Sequence, residues 1–232
     1  TEEFYAIAEP SVEFNKDLFV MVIIASVAAV IGLFTNNAAL VIGGMLLAPL
    51  IGPMTAFSFN VAVAQPRKIA KAAVNGILLL IAAFATAAIL TLIVSQFVEL
   101  PITEEILLRT EVSFVFLVLA IALGIAGGIA MSSSVPGILV GVAIAAALVP
   151  PSAVAGIGLS LWELDIFTNS LLLTIQNVIG LILGMIVVFF VKKITPRKYH
   201  EKEKAKRYMI ITISIFVAMS VIIGIISLQA FI

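Results

Sequence analysis

The sequence predicts an all-α polytopic membrane protein with seven transmembrane helices. It forms two inverted three-helix repeats, each with a proline-broken middle helix, plus one extra helix. Three observations predict this. Hydrophobic residues make up 62% of the 232 and charged residues 11%. The mean hydropathy is +1.26, which excludes an ordinary soluble domain. Uncharged apolar runs of spanning length recur along the chain. Two of those runs are interrupted by paired prolines at matching places in the two halves, a pattern that points to a midplane binding site in repeat-built transporters.

The spans are predicted near 17–34, 38–64, 69–96, 113–131, 136–161, 167–191 and 208–229. Around them the chain divides into six parts. These are a polar N-terminal remnant (1–16), a first three-helix repeat (17–97), an outer amphipathic connection (98–112), a second, inverted repeat (113–191), a basic cytoplasmic loop (192–207) and the seventh helix (208–232). The start at Thr1 lacks the charged, apolar and small-residue regions of a signal peptide. It reads as a trimmed chain that has lost a soluble N-terminal domain.

Positive charge decides how the broken runs cross. If all seven spans cross fully, one face carries Lys16, the Arg67/Lys68/Lys71 cluster and the eight basic residues of the Lys192-to-Arg207 loop. That is 12 of the 13 basic residues, and the positive-inside rule assigns their face to the cytoplasm. Re-entrant runs would put the Arg67 cluster and the Lys192 loop on opposite faces. Full crossing is therefore expected, in the cytoplasmic (inner) membrane, with the N-terminus inside and the C-terminus outside. Trp162 and Tyr208 fall near span ends, where amphipathic rings favour the interface. The 98–112 connection carries Pro101 and a Thr103-Glu-Glu helix start, so a short outer helix is expected there. Its charges read as a solvated face.

Spans 1–3 overlay spans 4–6 with an offset of 98 residues, matching Gly43 to Gly141, Ala48 to Ala146, Leu50 to Leu148 and Pro53 to Pro151. A slip of about four residues also matches Asn75 to Asn177. The Thr35-Asn-Asn turn meets Ser133-Ser-Val, and both supply capping side chains before the broken span. Three crossings is an odd number, so the second copy must be inserted upside down.

A proline removes the hydrogen bond to the carbonyl four residues back. Pro49 and Pro53 should free the carbonyls of Met45 and Pro49, and Pro150 and Pro151 those of Ala146 and Ala147. From Ala38 to Leu47 is ten residues, about 15 Å of helix, half of a ~30 Å hydrocarbon core. Gly137 to Ala147 reaches nearly as deep from the opposite face, so both breaks are expected to meet near the midplane. The candidate substrate or ion site is Ala48, Pro49, Gly52, Pro53, Thr55, Asn75, Ala146, Ala147, Pro150, Pro151, Ser152 and Asn177. It could hold a cation on carbonyls, an anion on N–H groups or a zwitterion across both.

A plainer reading stands beside this one: kinks tolerated in membrane helices, with the backbone re-satisfied by neighbours. Asn75 and Asn177 suit a site and interhelical glue equally, and glue is the reading for Gln176. Asn60, Thr55, Ser152, Asn36, Asn37 and Ser132–Ser134 are the other polar groups available.

Absences narrow the chemistry. No Asp, Glu, Lys, Arg or His lies in the interior of a span, which argues against proton relays and voltage sensors. There is no cysteine, and the single histidine, His200, lies in the charged loop. No metal or cofactor is expected, and no enzymatic constellation of Ser–His or paired Asp type is visible. Gly124/Gly128, Gly137/Gly141 and Gly180/Gly184 form GxxxG pairs, read first as packing inside one chain and second as an oligomer contact.

The run Val41-Ile-Gly-Gly-Met-Leu-Leu-Ala-Pro-Leu-Ile-Gly-Pro53, with Ala147-Leu-Val-Pro-Pro-Ser152 later, resembles a prokaryotic family of hydrophobic membrane proteins of unknown function. The likeness covers roughly residues 20–190. It implies the helical architecture and a small soluble domain ahead of it, and brings no activity or substrate. The expected function is a secondary transporter for a small ion or a neutral or zwitterionic solute. The alternatives are a channel, or a membrane scaffold or sensor for the missing soluble domain. Expected partners are the lipid bilayer and the solute, with a homo-oligomer compatible with the glycine faces and no nucleic acid.

Overall fold

The computed structural model describes residues 11–132, 137–194, 196 and 199–229. Nine helices are described: α1 (Lys16–Phe34), α2 (Ala38–Met45), α3 (Ile51–Ala62), α4 (Pro66–Val94), α5 (Glu104–Leu107), α6 (Phe114–Met131), α7 (Gly137–Ser160), α8 (Leu164–Val191) and α9 (Tyr199–Gln229). Six of them, α1, α4, α6, α7, α8 and α9, are long and apolar enough to cross a membrane. The 8 residues of α2 and 12 of α3 span only about 12 and 18 Å.

Local chemistry sets the boundaries. Asn15, Asn37, Thr103 and Ser113 each accept a hydrogen bond from an amide in the first turn of the helix they cap, satisfying donors that the helix itself leaves free. Pro66 opens α4, where its missing N–H costs nothing. α1, α3, α7 and α8 end at left-handed residues: Asn36, Ala64, Trp162 and Lys193 have φ between 51° and 61°. In each case the next amide reaches back to close the turn: Asn37 to Gly32, Gln65 to Asn60, Glu163 to Gly158 and Ile194 to Phe189. These are Schellman closures made without glycine. The expected cap in the Ser133-Ser-Val turn lies outside the described residues.

α7 and α8 form the buried centre, with 67% and 72% of their spanning windows enclosed, whereas α9, at 11%, is peripheral. Small residues set the closest approaches. Gly124 and Gly184 lie directly against the main chain of α8 and α6, at the Leu181 and Ile121 carbonyls. That pair of helices runs parallel, because Gly180 meets Ala120 while Gly128 meets Val188. α4 and α7 also run parallel. Ser152 and Ser160 donate to the carbonyls of Leu80 (2.9 Å) and Ala88 (3.0 Å), and Gly156 sits between them on the Phe84 carbonyl. α3 runs parallel to α8, with Thr55 at Met185 and Phe59 edge-on to Phe189. The glycine pairs 124/128 and 180/184 are thus spent inside the chain.

The two ends of the bundle differ in charge. At one end Thr103 Oγ1 donates to the Leu33 carbonyl (2.6 Å) and the Glu105 amide donates to Asn36 Oδ1 (3.1 Å). This ties the acidic connection to the α1–α2 turn. At the other, the first turns of α4 carry Arg67, Lys68 and Lys71, and Lys192 Nζ donates to the Ser132 carbonyl (3.3 Å).

Two expectations are corrected. Only the first middle run is broken: α2 stops at Met45 and α3 starts at Ile51, whereas Pro150 and Pro151 lie inside the continuous α7. A pair of facing breaks therefore does not form: Ile51 packs on Gly141 of α7, and Pro53 on Gly76 of α4, one turn from the Leu80 carbonyl that holds Ser152. The last helix begins at Tyr199 rather than near 208, because the charged 199–207 run is rich in Glu, Lys, Ala and Arg, which favour helix.

Candidate functional site

The twelve candidate residues fall into two groups. At the first break Ala48 is buried in the turn between α2 and α3, beside Pro49. Pro53 sits in the first turn of α3, also buried, and faces Gly76. The carbonyl of Met45, expected to be free, accepts from the Ala48 amide (3.2 Å). Thr55 is buried with its hydroxyl 3.9 Å from Met185 Sδ. Asn75, 3% exposed, does not reach the break's own carbonyls. Its Nδ2 donates instead to the main-chain carbonyls of Ser11 (3.0 Å) and Glu13 (3.3 Å), and Gly52 lies against Ser11.

At the second proline pair, Ala146 and Ala147 have no amide at the fourth position onward, because Pro150 and Pro151 stand there. Ala147 has none at the third position either. Asn177 of α8 makes good the loss: its Nδ2 donates to the Ala147 carbonyl at 2.7 Å. An interhelical side chain therefore replaces a missing backbone donor, and α7 continues through both prolines. Ser152, the last candidate, is committed to Leu80 on α4. Gln176 donates to the Ser113 carbonyl at the start of α6 (2.8 Å), the interhelical glue expected of it, whereas Asn60 donates within its own helix to Ala56 (2.7 Å).

A cleft of about 340 Å³ opens beside this replaced bond. Its wall brings together Ala146, Ala147, Pro151 and Asn177 from α7 and α8, with Arg109 and Leu108 at the acidic end. The lining is otherwise apolar, and Asn177 and Arg109 are its polar side chains. Arg109 is half-buried and paired with Glu105 at 2.8 Å. It was not among the candidates, although being the lone basic residue on an acidic face was a visible signal. Ser11 and Glu13 carry no such signal. Among the described residues no group of three or more His, Cys, Asp or Glu side chains could hold a metal ion.

These features define a helical membrane protein whose buried polar side chains, among the described residues, are all hydroxyls and amides. The family model described as "Domain of unknown function (DUF389)" matches residues 45–183, and the chain belongs to that family. It is 32% identical over 227 residues to the uncharacterized protein MJ0678 of Methanocaldococcus jannaschii, covering 96% of this chain and 70% of that protein. No solved structure matches the chain.

Proposed function

We propose that the chain is a secondary carrier for a small ion or a neutral or zwitterionic solute, bound in the cleft beside Pro151 and Asn177. The observation that carries this reading is the Ala147 carbonyl, stripped of its helical donor and re-bonded by Asn177 on the wall of an open cleft. A carbonyl oxygen has two lone pairs and Asn177 keeps its own amide oxygen, so this wall still offers acceptors to a cation or an N–H donor. Arg109 at the other end is paired with Glu105, and its guanidinium fork has further N–H donors for an acceptor group of the solute. A volume of about 340 Å³ lies at the small end of ligand pockets, roughly 300–1,000 Å³.

An inverted-repeat architecture supports alternating access. Ala64 and Trp162 are 98 residues apart, the offset of the proposed repeat, and each takes the left-handed turn that ends a middle run. α4, the third helix of the first unit, packs on α7, and α8, the third of the second, packs on α3. α2 and α3 in series would make the seventh crossing. The start of α2 adjoins the acidic connection through Asn36, and the end of α3 turns directly into the basic start of α4. The positive-inside rule then puts the basic end in the cytoplasm, and no catalytic role is assigned.

The test is a thermal-stability screen of the purified protein against ions and small metabolites, because a ligand that binds the folded state raises apparent stability. Each hit is repeated on Ala143→Leu, which fills the cleft from a lining position outside the proline pair. A hit lost in that variant, with saturable flux in vesicles, supports the carrier. A hit with fast ohmic conductance favours a channel. No hit across a broad panel returns the scaffold reading.

A further inference from the structure

We propose that residues 11–13 are an intrachain plug, seated in the groove between α3 and α4 at the first break, that closes this groove from the basic end. Five contacts seat it. Asn75 donates to the Ser11 and Glu13 carbonyls. Ser11 rests on Gly52, where any side chain would collide with it. Val12, 4% exposed, packs with Ala56 of α3 and Ala72 of α4. Glu13 pairs with Lys71 at 3.1 Å.

Asn75 lies one turn, about 6 Å, beyond Lys71, where the charged start of α4 gives way to its apolar length. Buried backbone carbonyls need donors, and those of Ser11 and Glu13 share this one amide. Asn75 is the counterpart of Asn177 under the proposed repeat. In one half the amide restores a proline-stripped helix and lines an open cleft. In the other the helix has come apart, and the amide holds a turn of the chain in the groove.

Withdrawing the segment would expose Gly52, Ala56, Ala72 and Asn75 to water from the basic end, giving that end an approach to the break. The plug itself stands on these contacts, whereas its use as a gate rests on the carrier reading. A groove self-occupied through carbonyl oxygens also states what could compete for it: a group with hydrogen-bond acceptors.

The chain has no cysteine, so single cysteines report without background. Ala72→Cys would be placed in the full-length protein in membrane vesicles of both orientations and treated with a charged, water-soluble methanethiosulfonate. The expected result is slow labelling with Val12 in place and at least tenfold faster labelling in Val12→Glu/Ala72→Cys, from the basic face alone. Val12→Glu alters only the segment, so the bundle should still fold. As a second reading, Gly52→Val, which leaves the segment's own sequence intact but collides with Ser11, should also speed the labelling of Ala72→Cys from the basic face. Equal labelling rates with and without either Val12→Glu or Gly52→Val would overturn the plug whatever the solute screen gives. Faster labelling in both with no solute hit would leave the plug standing and remove the carrier.

Discussion

The two proline regions use the same residue type to opposite ends. Pro49 and Pro53 are four apart. Pro49 lies in the turn between α2 and α3, and Pro53 lies in the first turn of α3, where an N–H has no helical partner anyway. Neither proline costs a hydrogen bond, because the helix has already stopped. Pro150 and Pro151 are adjacent and sit fourteen and fifteen residues into α7, where the missing N–H groups are needed. There the helix continues because Asn177 supplies a donor from the next helix. Whether proline breaks a membrane helix therefore depends on what its neighbours can donate as well as on the proline itself.

That comparison can be broken at several points. The largest effect is expected in α7, where Gly156 touches the Phe84 carbonyl of α4. Gly156→Leu must push the helices apart, at or beyond the upper end of the roughly 1–3 kcal/mol overpacking range, and should abolish a folded monodisperse protein on size-exclusion chromatography. Next comes Asn177→Leu. It leaves the Ala147 carbonyl without its side-chain donor, a loss of about 1–3 kcal/mol, seen as a lower midpoint in thermal or detergent unfolding. Asn75→Leu should cost less, about 1 kcal/mol, because the released Ser11 and Glu13 carbonyls belong to a segment that can turn to water. An equal cost for the two asparagines would erase the distinction between them. The smallest effect has the opposite sign. Gly43 of α2 has open space where a Cβ would sit, so Gly43→Ala should stabilise by about 0.5–1 kcal/mol through helix propensity alone.

Much of the fold was legible because it rests on local chemistry. Apolar run lengths located the spanning helices, the side chains of Asn37 and Thr103 marked two helix starts, and Pro49 marked the interruption after α2. The GxxxG pairs at 124/128 and 180/184 correctly announced close packing within the chain. What was not legible depends on partners far away in sequence. The continuity of α7 hangs on a side chain thirty residues downstream, and sequence alone left Asn177 divided between site and glue. The expected pair of facing breaks does not form because α7 does not break at Pro150 and Pro151. The Ser11–Glu13 contact with Asn75 was invisible because it uses backbone carbonyls, which every residue has. The candidate list therefore found Ala146, Ala147, Pro151 and Asn177 in one cleft, placed the other members elsewhere in the bundle, and passed over Arg109.

The measurement that tests the central relation most directly is a double-mutant cycle between Asn177→Leu and Pro151→Ala, read as unfolding free energies. Pro151→Ala returns to α7 the N–H that can bond the Ala147 carbonyl. The expected result is that Asn177→Leu costs at least about 1 kcal/mol less in the Pro151→Ala background than in the native one, a coupling well above the ~0.3–0.5 kcal/mol scatter of independent sites. Additive costs would show that Asn177 does not stand in for the proline's missing donor, and the carrier site built on that exchange would lose its foundation.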